Sequence, residues 1–161
     1  MELLTLERVR VLGRINRWGG WLKRDYSVLE HTVIGATAAV YIMGIDPRPF
    51  LLHDMEETEF GDITTPNKTI YTNTAYDLAV ERWNERLSKE TGVVLGGDAV
   101  KMLDGKMAHA ESVSVASRGD PKYRGVIMDS MTLWMEAAIR SEDFADPSRA
   151  VGQFMDLWQN A

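Results

Sequence analysis

The chain has 161 residues, 45% hydrophobic and 26% charged, which is the balance of an ordinary globular protein. Its formal charge of −6 argues against broad binding to a nucleic-acid polymer, because that mode requires a basic face. The absence of cysteine excludes disulfides and thiolate metal sites. We find no secretory-signal pattern at the start and no apolar run long enough for a bilayer. These features predict a cytoplasmic protein without membrane contact, folded as one domain over residues 1–161.

Hydrophobic periodicity and capping residues predict helices along nearly the whole chain. Ser27 and Glu30, for example, have the spacing of a capping box, and Gly44 is a typical helix end. The predicted helices are Leu3–Leu12, Ser27–Met43, Pro47–Glu57, Asn67–Thr91, Asp98–Ser117, Tyr123–Arg140 and a last one capped by Asp146 and Pro147. Loops are predicted over Gly13–Asp25 and Gly61–Pro66. Strand signals are weak, so the pattern predicts an all-α bundle.

Two of the three histidines are candidates for metal binding. His31 lies in the first turn of its predicted helix, and His53 directly precedes Asp54. Adjacent residues on a helix point about 100° apart, so His53 and Asp54 share an ion only beyond a helix end or between helices. That arrangement needs further ligands, for which His31 and Asp104 are candidates, and imidazole with carboxylate suits Mn, Fe, Co or Zn. Without such ligands, the dipeptide is an ordinary surface or core pair.

The sequence around His53 resembles the HD-domain phosphohydrolases. The run HDMEETEFGDITTPNK, which starts at His53, is similar to the pattern H-D-x-x-E-x-x-x-G-D-(I/L)-(P/T)-(S/T)-P-x-K. That pattern is typical of the branch with bacterial 5′-deoxyribonucleotidases and phage deoxynucleotide triphosphohydrolases. The upstream segments RWGG and YSVLEH and the downstream VKMLD resemble the same branch in the same order. The resemblance covers Arg17–Glu111 and implies a single-domain helical bundle of the HD-domain type.

The resemblance also implies roles for individual residues. The implied metal ligands are His31, His53, Asp54 and Asp104. Glu57 is implied as the acid or base that works with a bound water, and Asp62 as a contact to the sugar or the attacking water. Read without the resemblance, Glu57 is a solvated helix carboxylate and Asp62 an ordinary turn residue. Glu56 departs from the small or His residue usual there, which leaves open a second ion such as Mg.

Binding of an anionic substrate requires cations near the metal, because the chain as a whole is acidic. Arg17, Lys68 and Lys101 are the candidates; for each lysine the alternative is a solvated surface position. Trp18 corresponds to an aromatic residue that, in the deoxyribonucleotidases, leaves no room for a 2′-hydroxyl. Its alternative role is a structural one, sealing the loop.

These expectations together predict a metal-dependent enzyme that hydrolyses phosphate from 2′-deoxynucleotides. Three separate cations suit a longer phosphate chain, which favours a deoxynucleoside triphosphate substrate of the dATP type. The alternatives are a 5′-deoxyribonucleotidase acting on monophosphates, a nucleotide-sensing module without catalysis, and a metal-free helical interaction protein.

We predict the third histidine, His109, to be structural. A stripe at helical spacing is predicted as core or subunit interface, which with the family analogy suggests a homo-oligomer (dimer or hexamer); its residues are Met128, Met131, Leu133, Trp134 and Met135.

Overall fold

The computed structural model describes residues 2–64 and 74–161. Its α-helices are α1 Leu6–Leu12, α2 Val28–Ala38, α3 Arg48–Leu52, α4 Glu57–Phe60, α5 Thr74–Thr91, α6 Asp98–Ser114, α7 Ser130–Ser141 and α8 Pro147–Gln159. Short 3-10 turns cover Trp18–Gly20 and Pro121–Tyr123, and α2 continues as a π-helical turn over Ala39–Met43. The described residues form no strand, only two isolated β-bridges. The predicted helical architecture is therefore confirmed for this part of the chain, whereas the domain limits stay a prediction.

Helix α2 lies at the centre of the structure. All 11 of its residues are buried, and it packs against α1, α3, α6, α7 and α8. A helix that is covered on every side must be largely apolar all round, and this one is, apart from Glu30, His31, Thr32 and Thr37. Ser27 caps it as predicted, by accepting a hydrogen bond from the Glu30 amide at 3.0 Å. The Glu30 carboxylate does not complete the capping box; it pairs with Arg24 at 2.6 Å instead.

The predicted helix Pro47–Glu57 is wrong, because the structure has two short helices, α3 and α4, with a turn between them. The break occurs at His53, whose Nδ1 donates to the Phe50 carbonyl oxygen at 2.6 Å. In a continuous helix that carbonyl would accept from the amide of Asp54. The next turns use shorter-range bonds, such as that from the Glu57 amide to the Asp54 carbonyl at 3.0 Å.

The predicted helix Tyr123–Arg140 also differs from the structure, since α7 begins only at Ser130. Asp129 caps it, with Oδ1 accepting from the Thr132 amide at 2.8 Å. Upstream, Gly125 has φ 69°, in the left-handed region that ends regular helix.

The end of one further helix, α6, depends on a neighbouring element. Helix α6 stops at Ser114, earlier than predicted, because the chain then pairs with the first loop: the Ser117 amide donates to the Trp21 carbonyl at 2.9 Å. The end of α5 before Gly92 agrees with the prediction. The predictions for residues 65–73 lie outside the described residues.

The apolar stripe near the C-terminus divides between core and surface. Met135 is fully buried and Met131 packs against the core, whereas Leu133 and Trp134 are 50% and 37% exposed. The stripe is therefore core in part, and the homo-oligomer stays a prediction. None of the helices in the described ranges is long and apolar enough to span a membrane.

Candidate metal centre and its cavity

Three side chains from separate parts of the fold converge on one point. His31 extends from the first turn of α2, His53 follows α3, and Asp104 lies on α6. Each offers a ligand atom, and these atoms all lie within 4.8 Å of one another. His31 Nε2 is 3.3 Å from both His53 Nε2 and Asp104 Oδ1, and His53 Nε2 is 3.7 Å from Asp104 Oδ1. The structure thus brings together three of the four predicted ligands as one cluster.

The fourth predicted ligand, Asp54, lies at the edge of this cluster. Its Oδ2 is 3.0 Å from His53 Nε2 and 3.6 Å from His31 Nε2. Adjacent residues reach the same point because His53 stands at the C-terminal end of α3, where the chain turns. A position at a helix end is the condition under which His53 and Asp54, as adjacent residues, can approach one ion.

The hydrogen bonds behind the two imidazoles indicate which ring nitrogens face the cluster as lone pairs. His53 Nδ1 lies 2.6 Å from the Phe50 carbonyl oxygen, which can only accept, so Nδ1 carries the proton. His31 Nδ1 lies 3.1 Å from both carboxylate oxygens of Glu111, which makes it the donor there as well. With Nδ1 assigned as the donor in both rings, Nε2 is the atom that each imidazole presents to a proton or a metal cation in the cluster.

Glu111 is a residue of the site that the sequence did not identify. It is fully buried on α6, and besides His31 it binds Arg17, whose Nε lies 3.0 Å from Oε1. The available signal was its spacing: seven residues after Asp104, two turns along α6, it lies on the same face of the helix. Glu111 therefore fixes the orientation of a candidate ligand and of a candidate phosphate-binding cation at once.

The charges around the cluster favour a cation within it. Burial disfavours a charged imidazole, but Asp54 and Asp104 outweigh it and raise the pKa of His53 well above its usual value. Burial likewise disfavours ionised carboxylates, yet the neighbouring histidines hold the pKa of Asp54 and Asp104 below their usual range. Two imidazole nitrogens and a carboxylate fit a divalent transition ion such as Zn, Mn, Fe or Co. The cluster could therefore hold such an ion.

Glu57 is the first residue of α4 and faces a low-dielectric environment. It is buried, and its Oε2 has no hydrogen-bond partner within residues 2–64 and 74–161. Burial, followed by the charges of Asp54 and Asp62, raises the pKa of Glu57 to about 9. The alternative of a solvated helix carboxylate is therefore wrong. A carboxyl with this pKa holds a proton at neutral pH, and a nearby cation would lower its pKa.

Arg17 joins the cluster to the cavity beside it. Besides its bond to Glu111, its Nη1 lies 3.5 Å from Asp54 Oδ2. Burial opposes its charge, but Glu111 and then Asp54 and Asp104 keep the pKa of Arg17 above its usual value. The guanidinium is therefore a permanent positive charge at the cluster.

The cavity has a volume of about 590 Å³. Of the residues predicted for the site, the ones that line it are Arg17, Trp18, Asp54, Glu57, Asp62 and Asp104. Trp18 has φ 56°, a left-handed conformation that bulky residues rarely adopt. Such strain persists only where surrounding structure enforces it, and it is concentrated at functional sites. The Trp18 indole thus stands as a wall of the cavity, at some conformational cost.

Other predicted site residues lie elsewhere. Lys101 is exposed on α6 and is not among the residues lining the cavity, so its role stays a prediction. Lys68 lies outside the described residues. Glu56 does not belong to the His/Asp cluster, which is the one group in the described ranges with metal-binding geometry, so a second ion has no support there. His109 is buried and stacks on Tyr123, in agreement with a structural role.

The fold and the site define a helical protein with a His/Asp cluster suited to a metal ion, beside a cavity that combines acidic, basic and aromatic side chains. Comparison with models of known protein families finds no match to this chain, and comparison with curated proteins finds none either. The likeness to HD-domain phosphohydrolases therefore rests on the motifs quoted above, and the function is argued from the site itself.

Proposed function

We propose that this protein is a metal-dependent phosphohydrolase of the HD type that acts on 2′-deoxynucleotides, with deoxynucleoside triphosphates of the dATP type as preferred substrates. One observation carries the proposal: two imidazole Nε2 atoms and two carboxylates converge beside a cavity that also contains a buried acid and a paired arginine. Metal ligands, a proton carrier and a phosphate-binding cation are the parts that phosphate hydrolysis requires.

His31, His53, Asp54 and Asp104 would hold the ion, which when bound supplies Lewis acidity and a water of lowered pKa. The remaining work belongs to the protein's other side chains. Glu57 holds or returns a proton at its unpartnered Oε2, where burial raises the pKa of the carboxyl. Arg17 donates from its terminal nitrogens to phosphoryl oxygens while Glu111 fixes its Nε. Asp62 lines the same cavity, where it contacts the sugar or orients water.

Trp18 is proposed to select the sugar. Trp18 lines the cavity, and its indole is a large planar ring that can exclude a substituent by contact. A 2′-hydroxyl is the group in which ribonucleotides differ from deoxyribonucleotides. Trp18→Ala should therefore admit ribonucleotides, with their kcat/KM rising toward that of the deoxy substrates. An unchanged preference for deoxyribose in this variant would remove Trp18 from sugar selection.

The experiment is a screen of deoxy- and ribonucleoside mono- and triphosphates with Mn, Co, Zn and Mg, in which the released phosphate product is identified. We expect release from deoxynucleoside triphosphates and its loss in His53→Ala and Asp54→Ala. Asp46→Asn, an exposed carboxylate that pairs with Arg48 and lies outside the His/Asp cluster, serves as the matched control. Orthophosphate from monophosphates alone would instead support a 5′-deoxyribonucleotidase, and binding without turnover a sensing module. Full activity in either cluster variant would refute the site.

A further inference from the structure

We propose that Arg118 and Lys122 form a second anion site in the cavity, which binds the phosphate groups beyond the one held at the His/Asp cluster. Both residues lie in the loop after α6 and line the same cavity as Asp54 and Asp104. The inference rests on the proposed function and deepens it. It proposes that two side chains outside the motifs determine how many phosphate groups the substrate carries.

The loop that carries these residues is anchored at several points. The Ser117 amide donates to the Trp21 carbonyl at 2.9 Å, and the Asp120 amide donates to Ser112 Oγ at 2.7 Å. Gly119, with φ 66°, passes so close to Ser112 that a Cβ would lie 3.0 Å from its carbonyl oxygen. The loop is therefore held against α6 and against the first loop, so that its side chains are presented from a fixed backbone.

Arg118 is positioned by stacking rather than by an ion pair. Its guanidinium carbon lies 3.4 Å from the centre of the Trp21 ring, which is a close cation–π contact. Among residues 2–64 and 74–161 no carboxylate pairs with it, so its N–H groups keep their capacity for an external anion. Arginine presents a planar set of donors that matches two oxygens of one phosphate. A stacked, unpaired arginine at a cavity is thus prepared for an oxyanion.

Lys122 supplies the second charge. Its Nζ lies 4.9 Å from the centre of the Tyr123 ring and 3.7 Å from Asp120 Oδ2. Tyr123 is itself fixed by parallel stacking on His109, with ring centres 4.8 Å apart. The weak pairing with Asp120 leaves the ammonium group able to bind a stronger acceptor.

The distribution of charge favours a chain of phosphates over a single one. Arg17 is already committed to Glu111 and Asp54 near the cluster. One phosphate at the cluster would be balanced there by the ion and Arg17, whereas further phosphates need cations elsewhere in the cavity. Among the described lining residues, Arg118 and Lys122 are the remaining cations. We therefore assign them to a polyphosphate rather than to stacking of the base.

The test measures binding without turnover. Isothermal titration of the metal-loaded protein with inorganic triphosphate and with orthophosphate should show triphosphate bound at least about tenfold more tightly, since charged hydrogen bonds are added. Arg118→Gln and Lys122→Gln should each lower triphosphate affinity roughly tenfold and leave orthophosphate nearly unchanged. Arg124→Gln, an exposed arginine of the same loop outside the cavity lining, should match wild type.

The outcomes separate this inference from the proposed function. Equal affinity of wild type for both anions, or unchanged triphosphate affinity in the double variant, overturns the second anion site. Weaker binding of a phosphate-free deoxynucleoside in Arg118→Gln, with triphosphate unaffected, assigns the residue to the base and also overturns it. Triphosphate discrimination without hydrolysis of any nucleotide would reject the enzyme and leave the anion site standing.

Discussion

Substitution of Glu111 perturbs the candidate metal centre without replacing any of the candidate ligands. The carboxylate is fully buried and accepts from His31 Nδ1 at 3.1 Å and from Arg17 Nε at 3.0 Å. Glu111→Ala leaves a buried guanidinium with only the 3.5 Å contact to Asp54, and loss of one partner of a buried pair costs about 3–5 kcal/mol. Glu111→Gln keeps the volume but places an N–H group against one of two donors, a loss of about 1.5–3 kcal/mol.

The functional consequence is a loss of metal affinity. In Glu111→Gln a single acceptor oxygen is left for two donors, His31 Nδ1 and Arg17 Nε, so His31 is held less firmly in the tautomer that directs Nε2 into the cluster. Loss of such an outer partner typically weakens metal binding by about 10–100-fold. We therefore expect the affinity of Glu111→Gln for Mn or Co to be about 10–100-fold lower than that of wild type. Titration calorimetry measures the affinity, and urea unfolding measures the stability.

A matched control separates this effect from loss of any carboxylate. Glu136 on α7 pairs with Arg140 at 2.9 Å across one helical turn. Glu136→Gln should cost less than about 1 kcal/mol, as is usual for i,i+4 pairs near the surface, and should leave metal affinity unchanged. Wild-type metal affinity in a folded Glu111→Gln protein would refute the positioning role.

The remaining predictions concern packing and capping. Gly35→Ala would bring a Cβ to 2.2 Å from the ring of Phe50, so we expect destabilisation of about 1–3 kcal/mol, whereas Gly152→Ala, with nothing within 4 Å, should stabilise by about 0.5–1 kcal/mol. Urea unfolding measures both, and the same sign for the two variants would contradict the packing argument. Asp129→Ala removes the α7 cap and should cost about 1 kcal/mol at pH 7. Because Lys106 and the capped amide lower the pKa of Asp129 to about 2, this cost should shrink as the pH falls from the ordinary aspartate pKa toward 2 in thermal melts; a pH-independent cost would contradict it.

The sequence predicts the end of a helix correctly where residues at that end determine it. Ser27 caps α2 through its own hydroxyl, and the helix before Gly92 stops where the glycine turns left-handed. The predicted helix bounds are wrong where a hydrogen bond or contact outside the regular helix pattern ends the helix. His53 ends α3 because its ring donates to a carbonyl of the helix, an effect invisible in periodicity.

The same distinction applies to the site. The spacing of the motifs was enough to nominate His31, His53 and Asp104, which the fold does bring together. It could not show that Arg118 stacks on Trp21, because that contact joins two loops far apart in the chain. Contacts between loops depend on the whole fold, and the hydrophobic periodicity of the sequence does not predict them.

Metal content tests the central claim most directly. Protein dialysed against Mn, Co or Zn without chelator, then analysed by elemental mass spectrometry, should retain a divalent ion in wild type and lose it in His53→Ala and Asp104→Ala. His109→Ala removes a buried histidine outside the cluster and should keep the ion. Equal metal content in wild type and both cluster variants would contradict the metal centre and the enzyme built on it.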